Sequence, residues 1–191
     1  RHLHLSLRRQ RQMCIRDRET APWDDRPVET VYTHTLRSSI IKRDCTLRFP
    51  DLVKRAQALA TEDTVTLDFL TPTRIKDRGE WLSRAEFGPL VRALLQRVSS
   101  LANFHCGEQW EYDFRGAIDR AAAVQIIEEG THWGDWERYS SRQDQRVKLG
   151  GFMGPVTYAG DLQEFMPLLL AGSLVHVGKG TVFGNGQYVI R

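Results

Sequence analysis

Cysteine is scarce, with three in 191 residues, and none forms a CxxC pair or stands at metal-ligand spacing from a histidine. A disulfide scaffold is excluded on that count. Seven prolines and fifteen glycines are too few for a collagen-like or disordered chain. No apolar run approaches the ~20 residues that cross a bilayer, so no membrane span is expected. Internal repeats and low-complexity tracts are also missing. What remains, 41% hydrophobic and 27% charged residues, is the composition of an ordinary globular chain. It is long enough to bury a core without staples, and its length suits one domain or one and a fraction.

The formal charge of +3 points to an acidic partner, but it comes from the first eighteen residues. Met13-Cys14-Ile15-Arg16-Asp17-Arg18 is the translation of the mosaic end used in transposon-based sequencing libraries, and Arg8 to Gln12 continues the adapter in frame. Residues 1–18 are therefore read as translated adapter and excluded from fold reasoning. Of the 27 basic and 24 acidic residues, 21 and 23 then remain, a net of −2. Any affinity for nucleic acid must come from local clusters rather than global charge. The two remaining cysteines, Cys45 and Cys106, suit a reducing cytoplasm, which is the expected location. Because an adapter abuts its insert at an arbitrary cut, the chain from residue 19 reads as a C-terminal fragment.

Residues 19–60 are expected to be a linker or the remnant of an upstream domain. They contain an alternating stretch at 28–33 and a helix following Phe49-Pro50-Asp51. Thr64 to Leu70 alternates apolar and polar residues and predicts a strand closed by Pro72. From Phe87 to Leu101 the apolar residues keep to one helical face, and Ser83 with Glu86 has the form of a capping box. A second strand is expected over 121–127, a hairpin over 133–141 and 147–158, a helix opening at Asp161, and a last strand over 187–190. In order this is βαββαβ, an α+β ferredoxin-like domain over 61–191 with a four-stranded antiparallel sheet.

Between the last helix and strand lies Gly172 to Gly186, which includes Gly178, Lys179, Gly180, Thr181, Gly184 and Gly186. Glycines at this density are costly in regular structure and are wanted where φ is positive or a backbone approaches a ligand closely. A Walker A loop does not fit: Gly172 to Gly178 is one residue too long and no helix follows. A dinucleotide fingerprint fails on the same geometry. Two readings stay open, a phosphate-cradling run of amides with Lys179 beside it, or a helix C-cap followed by a bulged hairpin.

Gly151-Phe152-Met153-Gly154-Pro155-Val156-Thr157-Tyr158-Ala159-Gly160-Asp161-Leu162, Leu168-Leu169-Leu170 and His176 to Gly186 resemble the C-terminal domain of CRISPR precursor-RNA-processing endoribonucleases of the RAMP superfamily. Phe69-Leu70-Thr71-Pro72 and Arg138 to Gln143 add to the resemblance, which runs from about Thr61 to Arg191. It implies a ferredoxin-like RAMP domain ending in a glycine-rich loop, paired in the family with a second such domain upstream. It further implies binding of a CRISPR repeat RNA and cleavage without a metal or other cofactor. In that reaction the 2′-hydroxyl attacks the adjacent phosphate and leaves a 2′,3′-cyclic end. The family's histidine usually lies in the upstream domain, so the catalytic residues here are unknown.

Local chemistry is compatible with RNA. Arg138, Arg142, Arg146 and Lys148 form a basic segment near Trp133, Trp136 and Tyr139, suited to phosphates and unpaired bases. The same segment also reads as a hairpin with its aromatics in the core and its charges solvated. A second basic stretch, Arg37, Lys42, Arg43 and Arg48, reads equally as a solvated linker. His176 beside Gly178-Lys179 and His132 are weak candidates for proton transfer, though a histidine at a helix end often only caps it. The expected partners are CRISPR repeat RNA and CRISPR effector complex proteins, with no membrane. An alternative is a non-catalytic RAMP-type RNA-binding subunit of such a complex.

Overall fold

In the computed structural model, which describes residues 17–19, 30–33, 49–59, 63–107, 109–135, 137–140, 145–148 and 150–191, the chain forms two units, residues 1–47 and 48–191. The first contains β1 (Asp17–Glu19) paired antiparallel with β2 (Thr30–Thr33). The second begins with α1 (Phe49–Leu59) and holds the sheet.

The sheet is organised around β3 (Thr64–Thr73), where the period-2 pattern buries Val65, Leu67 and Phe69 on one face. After β3 the chain makes a tight hairpin of β4 (Lys76–Asp77) and β5 (Glu80–Trp81). It then enters α2 (Phe87–Leu101), an extension through a π turn to Cys106, and α3 (Phe114–Ala121). Strands β6 (Gln125–Glu129) and β7 (His132–Gly134) follow, then the hairpin β8 (Glu137–Ser140) and β9 (Gln145–Lys148), and then β10 (Gly151–Ala159). The chain closes with α4 (Met166–Val175) and β11 (Tyr188–Ile190).

Strand order is β11-β3-β10-β6, every pair antiparallel, with β6 and β7 both pairing β10. Because β7 takes Gly151 to Met153 of β10 and β6 takes Val156 to Ala159, five strands fill four positions. This is the ferredoxin-like topology that the element order implies.

Helices α2 and α4 cover the apolar face. Leu90, Val91, Leu94 and Leu95 of α2 and Leu169 and Leu170 of α4 are buried against it. Phe87 lies with its ring centroid 4.9 Å from Tyr158 and 5.3 Å from Phe165. Two buried tyrosines complete the core without stranding their hydroxyls: Tyr158 donates to the Ala85 carbonyl and Tyr188 to the Leu169 carbonyl, each at 2.6 Å. Burial raises both phenols well above their ordinary value. Helix α1 packs on α4.

Four local expectations change, the first being that β3 runs through Pro72 to Thr73 instead of closing at the proline. The N-cap of α2 is Glu86, which makes no side-chain cap; its carboxylate meets Arg84 instead, so the Ser83–Glu86 capping box is not formed. Residues 121–124 are not strand: α3 runs to Ala121, with Asp113 accepting the Gly116 amide at its start, and β6 begins only at Gln125. The last helix opens after a 3-10 turn at Gln163–Phe165 rather than at Asp161, with Pro167 in its first turn, where a missing N–H costs nothing.

Candidate nucleic-acid interface

Among the described residues, the glycine-rich loop and the basic β8–β9 hairpin leave the sheet at one end. β3 ends there at Thr73, β10 starts there at Gly151, and Phe152 pairs Thr73. β7 lies beside that same start, and the β8–β9 hairpin joins β7 to β10. β11 also starts there, so the glycine-rich loop between α4 and β11 comes to the same end.

That loop is sewn to the end of β3. The Thr71 hydroxyl donates to the Gly184 carbonyl and accepts the Gln187 amide, both at 2.9 Å. The Gly186 amide donates to the Pro72 carbonyl at 3.2 Å and the Lys179 amide to the Arg74 carbonyl at 2.9 Å. The Val177 amide donates to Gly186 across the loop neck at 3.0 Å.

The glycines divide into two kinds. A Cβ at Gly178 would strike the Arg74 carbonyl, and one at Gly186 would strike Val177. These two are glycine because backbone passes against backbone. Gly180 (φ 80°) and Gly184 (φ 87°) bracket the 3-10 turn Thr181–Phe183 in left-handed conformation. A Cβ on Gly184 would meet open space. The turn holds Val182 and Phe183 out, 83% and 52% exposed, and Lys179 is exposed beside it. The loop therefore joins the C-terminal end of α4 to a glycine-bracketed tip.

His176 sits at the loop's entry with φ 61° and ψ 166°, a conformation that glycine alone adopts easily. Burial lowers its imidazole pKa from the ordinary 6.5, opposed by a hydrogen bond with the Asn185 backbone and reinforced by the Arg97 charge. Arg97 in turn donates to the Val175 carbonyl, occupying the free end of α4. His132 lies on β7, exposed, and pairs with Met153.

Arg138 is on β8 opposite Val147, while Arg146 and Lys148 are on β9 opposite Tyr139 and Glu137. Arg142, Trp136, and the stretch with Arg37, Lys42, Arg43 and Arg48 lie outside the described residues. Trp133 is not a core residue: it is 45% exposed, its indole N–H donating to Asp135 at 2.9 Å.

The sequence reading missed β4–β5, which stands against the glycine loop through Arg74. Its turn, Arg78-Gly79, has both φ angles positive, 47° and 95°. The Arg74 guanidinium carbon lies 4.1 Å from the centroid of Trp81, and the Lys76 ammonium 5.7 Å from it. Asp77 is bound to Arg92 and lies 3.9 Å from Arg78. Three cations and a tryptophan within Arg74 to Trp81, around an Arg-Gly step, are the available sequence signal.

Away from this end, a cavity of about 770 Å³ is lined by Leu52, Leu95, Val98, Trp110 and Leu168 on the helical side. Its apolar walls offer nothing for phosphate. Among the described residues no three His, Cys, Asp or Glu converge as metal ligands, and no helix is long and apolar enough to cross a membrane.

A family model described as CRISPR-associated endoribonuclease Cas6 matches residues 67–188. Among solved structures, Thermus thermophilus Cas6 is similar with a TM-score of 0.58 at 15% identity, covering 76% of this chain and 58% of its own. A Cas6 product complex gives 0.54 at 17% identity, covering 76% of this chain and 56% of the other. A partial Cas6-RT-Cas1–Cas2 complex gives 0.57 at 13%, covering 87% and 30%. At these identities the likeness is one of fold, and the chain spans less than two thirds of the solved chains it matches. No curated protein matches in sequence.

Proposed function

The chain belongs to the CRISPR-associated endoribonuclease Cas6 family, and from that membership we propose that it is the repeat-binding half of a precursor CRISPR RNA-processing enzyme. The observation that carries the reading is the gathering of the glycine loop and the basic β8–β9 hairpin at one end of a RAMP-type sheet, within the matched region. Lys179 and the exposed tip at Thr181–Phe183 are offered to RNA, and the neighbouring hairpin brings Arg138, Arg146 and Lys148 to the same end. Gly178 and Gly186 serve this site through the fold, by letting the loop lie close to Arg74 and Val177.

The proposed reaction uses no metal. The 2′-oxygen bonds to phosphorus as the bond to the 5′-oxygen breaks, leaving a 2′,3′-cyclic phosphate and a 5′-hydroxyl. A base takes the 2′-hydroxyl proton, and an acid supplies one to the leaving oxygen. Burial lowers the pKa of the His176 imidazole, so less of it carries a proton to donate at neutral pH. His132 is exposed at the interface end. Neither is assigned the chemistry.

The test is binding and cleavage of a repeat RNA by the chain in EDTA across a salt series. Binding that weakens with salt is expected, since phosphate contacts release counterions. Binding without cleavage would assign the chain an RNA-holding role, as half of the enzyme or as a non-catalytic subunit of an effector complex. A cyclic-phosphate product would place the chemistry within this chain, while failure to bind would overturn the reading.

A further inference from the structure

We propose that β4–β5 and the root of the glycine loop form a seat for an unpaired RNA nucleotide, with the base on the Trp81–Arg74 stack and phosphate against Lys76 and Lys179. The proposal rests on the reading that this chain binds RNA, and it adds a site outside the loop tip and the β8–β9 hairpin.

Trp81 is not placed for folding. It sits on a strand of two residues outside the core cluster and is 39% exposed, which leaves part of a large apolar side chain open to solvent. What holds it is charge. The Arg74 guanidinium lies over the ring at 4.1 Å and the Lys76 ammonium approaches to 5.7 Å, both within cation–π range. Arg74 is fixed in turn: its carbonyl accepts the Lys179 amide at 2.9 Å, and the next side chain, Ile75, is buried. Gly178 lets the loop approach that carbonyl, since any Cβ there would collide with it. The stack and the root of the glycine loop are thus joined through the Arg74 carbonyl.

The electrostatics suit a polyanion. Arg74 and Lys76 lie over the ring, Arg78 stands at the turn of the same hairpin with its side chain 90% exposed, and the exposed Lys179 is joined to Arg74 through its backbone amide. Of the nearby carboxylates, Asp77 is engaged by Arg92, and Glu80 stands opposite it in the hairpin. Arg78 holds a positive φ that most side chains avoid, which keeps the turn tight and its cation outward. An indole face layered with a guanidinium accepts any base, since every base has a π-face, but only when the base is unpaired. The ligand is therefore single-stranded RNA, held with little regard to sequence.

The experiment uses the full chain with two probes: oligouridine, and an abasic ribose-phosphate oligomer of the same length. Trp81→Ala should weaken oligouridine binding roughly 5- to 100-fold, the range for loss of one base–aromatic stack, and leave the abasic oligomer unchanged. Trp81→Phe should restore most of the affinity. Lys76→Ala should weaken both probes alike and lower the salt slope by about one. Should the alanine variant unfold, Trp81→Leu keeps the apolar bulk and should show the same selective loss. A folded Trp81 variant that binds oligouridine as tightly as the parent overturns this seat while RNA binding stands. A parent chain that binds neither probe overturns the RNA reading and the seat together.

Discussion

His176 concentrates three costs in one residue: a backbone conformation suited to glycine, a half-buried imidazole, and Arg97 nearby. Its pH behaviour follows from the direction of its shift. In the unfolded chain the ring titrates near 6.5, and in the fold it titrates lower, mainly because burial disfavours the charged form. Well above 6.5 neither state binds the proton and the group adds no pH dependence. As pH falls below 6.5 the unfolded chain is protonated first, so stability declines toward acid until the folded ring titrates as well. His176→Gly removes this titration and relieves backbone strain of about 1–3 kcal/mol. Thermal unfolding at pH 7.5 and 5.5 checks it: the variant should lose less stability between the two than the parent. An equal loss would mean that burial of this ring does not contribute to acid sensitivity.

Between elements, Gly172 marks a close approach, where α4 meets both α2 and β11. A Cβ there would run into the Tyr188 hydroxyl and Leu94 Cδ2. Alanine is the better helix former by about 1 kcal/mol, yet overpacking should win, and Gly172→Ala should destabilise by about 1–3 kcal/mol. Tyr188→Phe removes the obstructing oxygen at the cost of its bond to the Leu169 carbonyl, about 1 kcal/mol. In urea unfolding the double variant should therefore lose less than the two single losses added together, by ~0.5 kcal/mol or more. Strict additivity would show that the hydroxyl is not what the new methyl meets. Elements with long periods were the ones visible in the sequence: β3 through its alternation and α2 through its single apolar face. The boundary between α3 and β6 was hidden because Ala121-Ala122-Ala123-Val124 continues into Ile126-Ile127 with no period to separate helix from strand. β4–β5 was hidden because strands of two residues carry no period at all. The glycine loop was visible as a loop, but the separate roles of its glycines depend on Thr71 to Arg74, about a hundred residues upstream.

For the molecule as a whole, affinity for a polyanion must arise from where charge is gathered rather than from how much there is. Residues 19–191 carry 21 basic and 23 acidic residues, whereas residues 1–18 add six arginines and one aspartate. The topology brings Arg74, Lys76, Lys179 and the β8–β9 segment to one end of the sheet, so the local field there can be positive although the net is −2. Two sources of RNA affinity are therefore separable by deletion. Each phosphate contact contributes roughly 0.7–0.9 to the slope of log affinity against log salt. If the end of the sheet binds the RNA, removing residues 1–18 leaves that slope within about one unit of the parent's, and Lys179→Ala in the shortened chain lowers it by about one more. If the N-terminal arginines hold the phosphates instead, the deletion removes most of the slope and the affinity with it, and Lys179→Ala changes nothing further. A salt titration of both chains against the same repeat RNA distinguishes the two, because a basic tail loses its whole contribution on deletion while a folded interface keeps its own.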